Sequence, residues 1–169
     1  MEKKSRRVSD GMNPRSRHAM ANTYTSLFYH VTFSTKDRIH WIKREIENRV
    51  WEYAGGVARQ HKMSALEIGG FPDHLHALIM APPTISPGQI AQILKGDSSK
   101  WIHDSFQEMK MFSWQDGYGA FTVSKSKTPE VIQYIKNQRE HHRHRTFQEE
   151  YLELLEKHGI QYDERYLWG

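Results

Sequence analysis

The 169-residue chain contains no cysteine. That excludes a disulfide framework and thiolate metal sites, so any metal must be held by histidine, carboxylate or amide oxygen. No apolar run approaches the ~18–20 residues that a membrane-spanning helix requires. The charged N-terminus is followed by no apolar segment of the kind a secretory signal needs, which makes the cytoplasm the expected location. Prolines number six, and those after residue 70 (Pro72, Pro82, Pro83, Pro87, Pro129) punctuate patterned segments without interrupting them.

What remains is 37% hydrophobic and 26% charged, an ordinary globular composition and enough chain for one domain with a core. The net charge of +4 points towards nucleic acid, but it is unevenly placed. Residues 1–19 carry Lys3, Lys4, Arg6, Arg7, Arg15 and Arg17 against Glu2 and Asp10, leaving 18 basic and 18 acidic residues in the rest of the chain. Polar and without periodicity, residues 1–19 read as a disordered leader or added sequence ahead of Met20, and residues 20–169 as a single domain. Local patterning carries more. Lys125, Lys127, Lys136, Arg139, Arg143 and Arg145 dominate one stretch, and the chain after Thr146 is acidic, as expected of a protein that binds phosphate in one place. On charge alone, two solvated helix faces are the plainer reading.

Tyr24 to Thr35 is aromatic and β-branched and predicts a strand. Ile42 to Gln60 has the spacing of an amphipathic helix. Met63–Gly69 and His74–Met80 predict two strands joined by a Gly-Gly and Pro-Asp turn. Ser86-Pro87-Gly88-Gln89 is a capping box with proline at the first helical position, opening a helix to about His103. Trp114–Ser124 predicts a strand, Thr128 to about His142 a helix, and Phe147–His158 a last helix stopped by Gly159. The order β-α-β-β-α-β predicts an α+β protein with a ferredoxin-like antiparallel sheet, helices packed on one face, and C-terminal helices added. Such a fold hosts many functions.

His74-Leu75-His76 places two imidazoles on one face of a strand, able to chelate a divalent ion or simply to sit hydrogen-bonded at a sheet edge. Tyr134 and Gln138 share a helix face at i, i+4, the tyrosine flanking the stripe of Val131, Ile132 and Ile135 with its hydroxyl at the surface. An amide oxygen is a hard ligand suited to Mg²⁺ or Mn²⁺. A neutral phenol is a poor nucleophile that a metal can assist. The plain alternative is a half-buried tyrosine beside an exposed glutamine. Lys95, Ser98 and Lys100 in LKGDSSKW, and Lys36 and Arg38 after the first strand, are candidate phosphate contacts, as are Lys125, Lys127 and Arg139 in the basic stretch.

Taken in order, FYHVTFSTKDR, HLHALI, LKGDSSKW, WQDGYGAF and YIKNQREHH resemble the single-tyrosine HUH transposases of small bacterial insertion sequences, with their repeat-associated domesticated relatives, over roughly Thr23 to Arg145. The resemblance implies a homodimer, His74 and His76 as metal ligands with Gln138 as the third, and Mg²⁺ or Mn²⁺ as cofactor. It further implies Tyr134 as the nucleophile that cleaves and rejoins single-stranded, hairpin-containing DNA through a 5′-phosphotyrosine. Whether the late helix serves its own or a partner's histidines is open at this stage. The competing readings are a non-catalytic or domesticated DNA- or RNA-binding module of the same fold and a metal hydrolase acting with water. The first predicts exposed sheet aromatics, and the second leaves Tyr134 without a role.

Overall fold

The structure, a computed structural model, describes residues 23–168. The expected leader lies outside them. Strands β1 (Phe28–Ser34), β2 (Ser64–Phe71), β3 (His74–Met80) and β4 (Gly119–Val123) form one sheet in the order β2-β3-β1-β4. Every neighbouring pair is antiparallel. Helices α1 (Arg44–Gln60) and α2 (Pro87–Ser105) make the two crossovers, which is the ferredoxin-like arrangement. The chain then adds α3 (Thr128–Lys136), α4 (Gln138–His141), α5 (Phe147–Lys157) and the short α6 (Glu164–Leu167). Among the described residues no helix is long and apolar enough to cross a membrane.

Local sequence explains the boundaries. The Ser86 hydroxyl accepts from the Gln89 N–H at 3.2 Å and the Gln89 side chain accepts from the Ser86 N–H at 2.8 Å, so the predicted capping box starts α2. Thr146 and Glu149 do the same for α5. Helix α1 begins at Arg44, two residues later than the hydrophobic pattern suggests, because Ile42 is buried as the chain enters the helix. Strand β1 starts at Phe28, not Tyr24, and Tyr24 is exposed.

Two further departures shape the site. Trp114 makes only an isolated bridge to Thr35, and the ladder of β4 resumes at Gly119. The Trp114 indole turns inward to donate to the Ser98 hydroxyl at 2.9 Å and to meet Phe33 and Phe112 edge-on. The carbonyls of Asp116 and Gly117 accept from Lys95 Nζ at 2.8 and 3.2 Å, and these contacts draw the segment out of the sheet. The single helix expected over 128–142 breaks at Asn137 (φ −93°, ψ 16°) into α3 and α4. A Cβ on Gly69 would stand 3.0 Å from the Ile135 carbonyl oxygen. Glycine there lets the end of α3 approach β2 closely, and this sets Gln138 above the sheet.

Alternation along β1 and β3 divides the sheet into two faces. Val31, Phe33, Leu75, Ala77 and Ile79 form the main core with Val50, Ala54 and Val57 of α1 and Ile90 and Leu94 of α2. The opposite face carries His30, Thr32, Ser34, His74 and His76 between apolar flanks. Phe28 and Leu78 meet Ile135 of α3 on one side, and Phe121 meets Phe147, Tyr151 and Leu155 of α5 on the other.

Candidate metal and tyrosine site

The register of the sheet builds the floor of the site. Thr32 pairs with His76 and Ser34 with His74, so β1 and β3 present both histidines side by side on the face opposite the main core. Both are fully buried. The Thr32 hydroxyl donates to the Leu75 carbonyl at 2.9 Å, tying the two strands together beneath them.

Each histidine is oriented from behind. His74 Nδ1 lies 2.7 Å from Asp73 Oδ1, a carboxylate–imidazole pair that leaves Nε2 to the site. His76 Nδ1 lies 2.9 Å from Nε2 of His30. Buried His30 is pushed down to about 3 by desolvation and then by His76 beside it, so it is a neutral partner.

The roof comes from the late helices. Gln138 Oε1 is 2.9 Å from His74 Nε2 and 3.0 Å from His142 Nε2. The ring of Tyr134 stands edge-on to both His30 and His76, with centroids 5.9 and 5.7 Å away. Its hydroxyl, expected at the surface, instead donates to Glu150. Desolvation and the Glu150 charge together push this phenol well above its ordinary range. Glu150 itself is buried, accepts from Gln138 Nε2 at 3.0 Å, and meets His142 Nε2 at 3.0 Å. Burial alone would raise its carboxyl, but His76, the hydrogen bond with His142 and the surrounding imidazoles hold it far below the usual carboxylate range. The same carboxylate raises His142, against the opposing effect of burial.

The donor set fits a divalent cation. His76 Nε2 is buried without a hydrogen-bond partner, and it stands 3.3 Å from Glu150 Oε1 without the alignment of a hydrogen bond. Ligand atoms of His74, His142 and Glu150 lie within 4.8 Å of one another. With one imidazole nitrogen of His74 turned to Asp73 and one of His76 to His30, the other two face the Gln138 amide oxygen and the Glu150 carboxylate. Imidazole nitrogen, amide oxygen and carboxylate oxygen are donor atoms that a Mg²⁺- or Mn²⁺-like ion accepts.

Beside Tyr134 opens a cleft of 630 Å³, lined in part by His30, Phe121, Lys127, Lys157 and His158. Of the residues expected to meet phosphate, Lys127 shares this cleft with the tyrosine, and it pairs with Glu130 at 2.7 Å. Lys125 Nζ sits 5.1 Å from the Phe28 ring centroid. Lys36 and Lys100 are exposed. Arg38 lies over Trp168, and Arg139 is paired with Glu47. Two candidates serve the fold instead. Ser98 is fully buried, donating to the Leu94 carbonyl at 2.5 Å and accepting from Trp114, and so presents no hydroxyl to a phosphate. Lys95 is committed to the Asp116 and Gly117 carbonyls.

His74, His76, Tyr134 and Gln138 are thus brought together within one chain, while His30, Asp73, His142 and Glu150 join them unforeseen. The signal for His30 was its place in FYHVTF, where alternation sets it on one face with Phe28 and Thr32. For Glu150 the signal was an acid standing between Phe147 and Tyr151 on the apolar stripe of α5.

Residues 23–138 match the family of IS200-like transposases. The transposase of insertion sequence IS200 from Salmonella typhimurium is 29% identical over 127 residues, which cover 72% of this chain and 83% of that protein. The ISDra2 transposase of Deinococcus radiodurans is 24% identical over 117 residues, 66% of this chain and 84% of that one. Among solved structures, a transposase from Deinococcus radiodurans R1 superposes with a TM-score of 0.58 at 26% identity, covering 69% of this chain and 93% of its own. A REP-associated tyrosine transposase bound to a REP hairpin superposes with a TM-score of 0.53 over 72% of each chain, at 14% identity, and shares the fold. The chain belongs to the IS200-like transposase family.

Proposed function

We propose that this transposase is a metal-dependent enzyme that cleaves and rejoins single-stranded DNA at hairpin-containing ends, with Tyr134 as nucleophile. The observation that carries the reading is the position of the Tyr134 ring against His76, whose unpartnered Nε2 faces the same space as His74 and Gln138. In the reaction the Tyr134 oxygen forms a bond to phosphorus and the phosphorus–O3′ bond breaks. The products are a 5′-phosphotyrosine and a 3′-hydroxyl, and the tyrosine proton ends on the departing oxygen. Because one phosphodiester replaces another, the step can run backwards to rejoin strands without a separate energy source. His74, His76 and Gln138 would hold a Mg²⁺ or Mn²⁺, which would supply positive charge at the phosphate and so favour the ionised phenol.

The chain's own groups do the rest. Asp73 and His30 hold the two imidazoles in orientation. The cleft beside Tyr134 admits an extended strand, with Phe121 and His158 stacked at 4.4 Å on its wall and Lys127 and Lys157 for phosphates. Within one chain the histidines, glutamine and tyrosine stand together, and the homodimer implied by the resemblance would bring two such sites, and two DNA ends, into one assembly.

The test is incubation with labelled single-stranded hairpin DNA and Mn²⁺, followed by denaturing electrophoresis. A metal-dependent adduct that is absent in Tyr134→Phe supports the reading. Tight binding of end-like hairpins with no adduct under any metal overturns it in favour of a domesticated binding protein.

A further inference from the structure

The centre of the site is filled by a residue from beyond the family-matched segment, which ends at residue 138. Glu150 Oε1 faces the Tyr134 hydroxyl, Gln138 Nε2 at 3.0 Å and His76 Nε2 at 3.3 Å, while Oε2 lies 3.0 Å from His142 Nε2 and 3.7 Å from His74 Nε2. We propose that Glu150 is a direct ligand of the divalent cation, beside His74, His76 and Gln138, so that the C-terminal helix α5 closes the metal centre. This rests on the reading that the two histidines hold a metal.

Three observations carry it. First, Glu150 is only 1% exposed, and its contacts in the site are imidazoles, a phenol and an amide, none of them permanently cationic. A buried carboxylate without such a partner is costly unless it is paired or bound to a metal. Second, its position is enforced. Phe147 stacks on His74 with centroids 4.6 Å apart, and Tyr151 and Leu155 pack with Phe121, which turns the Glu150 side of α5 onto the histidines. A position on that apolar stripe needs no charge for packing. Third, Nε2 of fully buried His76 has no hydrogen-bond partner although it stands 3.3 Å from Glu150 Oε1. An ion there would be shared by both. A carboxylate adds hard oxygen and negative charge to an imidazole pair, favouring Mg²⁺ or Mn²⁺ over softer-ligand metals. His142 is held by the Arg145 carbonyl at 2.8 Å with its Nε2 3.0 Å from Glu150 Oε2, so it flanks the same carboxylate.

The experiment is Mn²⁺ titration of the DNA-free protein, with Co²⁺ absorption as a reporter of the coordination sphere, on the unaltered chain, Glu150→Gln and His76→Ala. Glu150→Gln is expected to weaken Mn²⁺ binding by about tenfold or more and to change the position and intensity of the Co²⁺ bands. Mn²⁺ binding that is unchanged or tighter in Glu150→Gln overturns the proposal, because the carboxylate would then be a plug that a cation displaces. Weaker binding with an unchanged Co²⁺ spectrum also overturns it, placing Glu150 outside the coordination sphere. If Glu150→Gln does not fold, diffraction from Mn²⁺-soaked crystals of the unaltered chain decides, with a Glu150 oxygen at about 2.1 Å from the ion expected and its absence from the sphere overturning the proposal. His76→Ala separates the two readings, since metal affinity unchanged in that variant would remove the histidine site itself, whatever Glu150 does.

Discussion

The two faces of this sheet are made by the same strands from alternate residues, and they have opposite characters. On one, Val31, Phe33, Leu75, Ala77 and Ile79 meet α1 and α2 in an apolar core. On the other, His30, Thr32, Ser34, His74 and His76 are equally buried, yet they are roofed by Tyr134, Gln138 and Glu150. Burial alone therefore does not mark core. The first face gains from removing apolar area from water. The second loses by desolvating imidazoles and a carboxylate, as the depressed His30 and His76 show. The proposed metal is what would offset that loss on the second face.

That contrast can be broken from either side. The largest expected effect is on the polar face. Tyr134→Phe should reduce adduct formation by on the order of a thousandfold or more while hairpin affinity changes little, as a gel-shift assay alongside the cleavage assay would show. Hairpin binding that collapses with cleavage would make Tyr134 a structural residue. Next is the apolar face, where Phe33→Ala removes a fully buried ring packed edge-on to Trp114. It should cost about 3–5 kcal/mol in urea unfolding, against a much smaller loss for Tyr134→Phe. Comparable losses in the two variants would erase the distinction between the faces.

Metal sharpens the comparison further. At a hundredfold excess over its dissociation constant, Mn²⁺ should stabilise the unaltered chain by about 2.7 kcal/mol. Phe33→Ala should retain that increment, if it folds at all, and His76→Ala should lose it. Calorimetric melting with and without EDTA measures both. The smallest effect belongs to the rim of the cleft, where Lys127→Ala should lower the slope of log affinity against log salt by about one. A slope unchanged in that variant would remove Lys127 from the DNA path.

Much of this architecture was legible in the chain. The period-two pattern of HLHALI predicted both the strand and the shared face of its histidines, because side-chain direction in a strand follows from local geometry. The capping box at Ser86–Gln89 predicted where α2 starts, being a contact between residues three apart. Trp114 was less legible. Its aromatic neighbours predict a strand, but the Ser98 hydroxyl lies 16 positions away in sequence, and only packing brings it to the indole. Ser98 itself read as a phosphate contact because its sequence neighbours are polar, whereas its burial depends on which face of α2 meets the sheet.

Glu150 shows the limit most clearly. Read along the chain it is one acid in an acidic tail, beside Glu149 and Glu153. Its neighbour Glu149 caps a helix in solvent, while Glu150 enters the centre of the site. The difference is one residue of helical rotation, about 100°, fixed by Phe147 and Tyr151 docking on the sheet.

By itself, then, the sequence determined what local rules govern: the order of elements up to the break at Asn137 that separates Tyr134 on α3 from Gln138 on α4, and the face shared by His74 and His76. Tertiary structure decided what depends on distant segments meeting. The return of α3–α5 across the second face put the tyrosine and glutamine over their own chain's histidines. It also brought in His30, His142 and Glu150, because convergence in space is set by packing between elements and leaves no spacing to read along the chain.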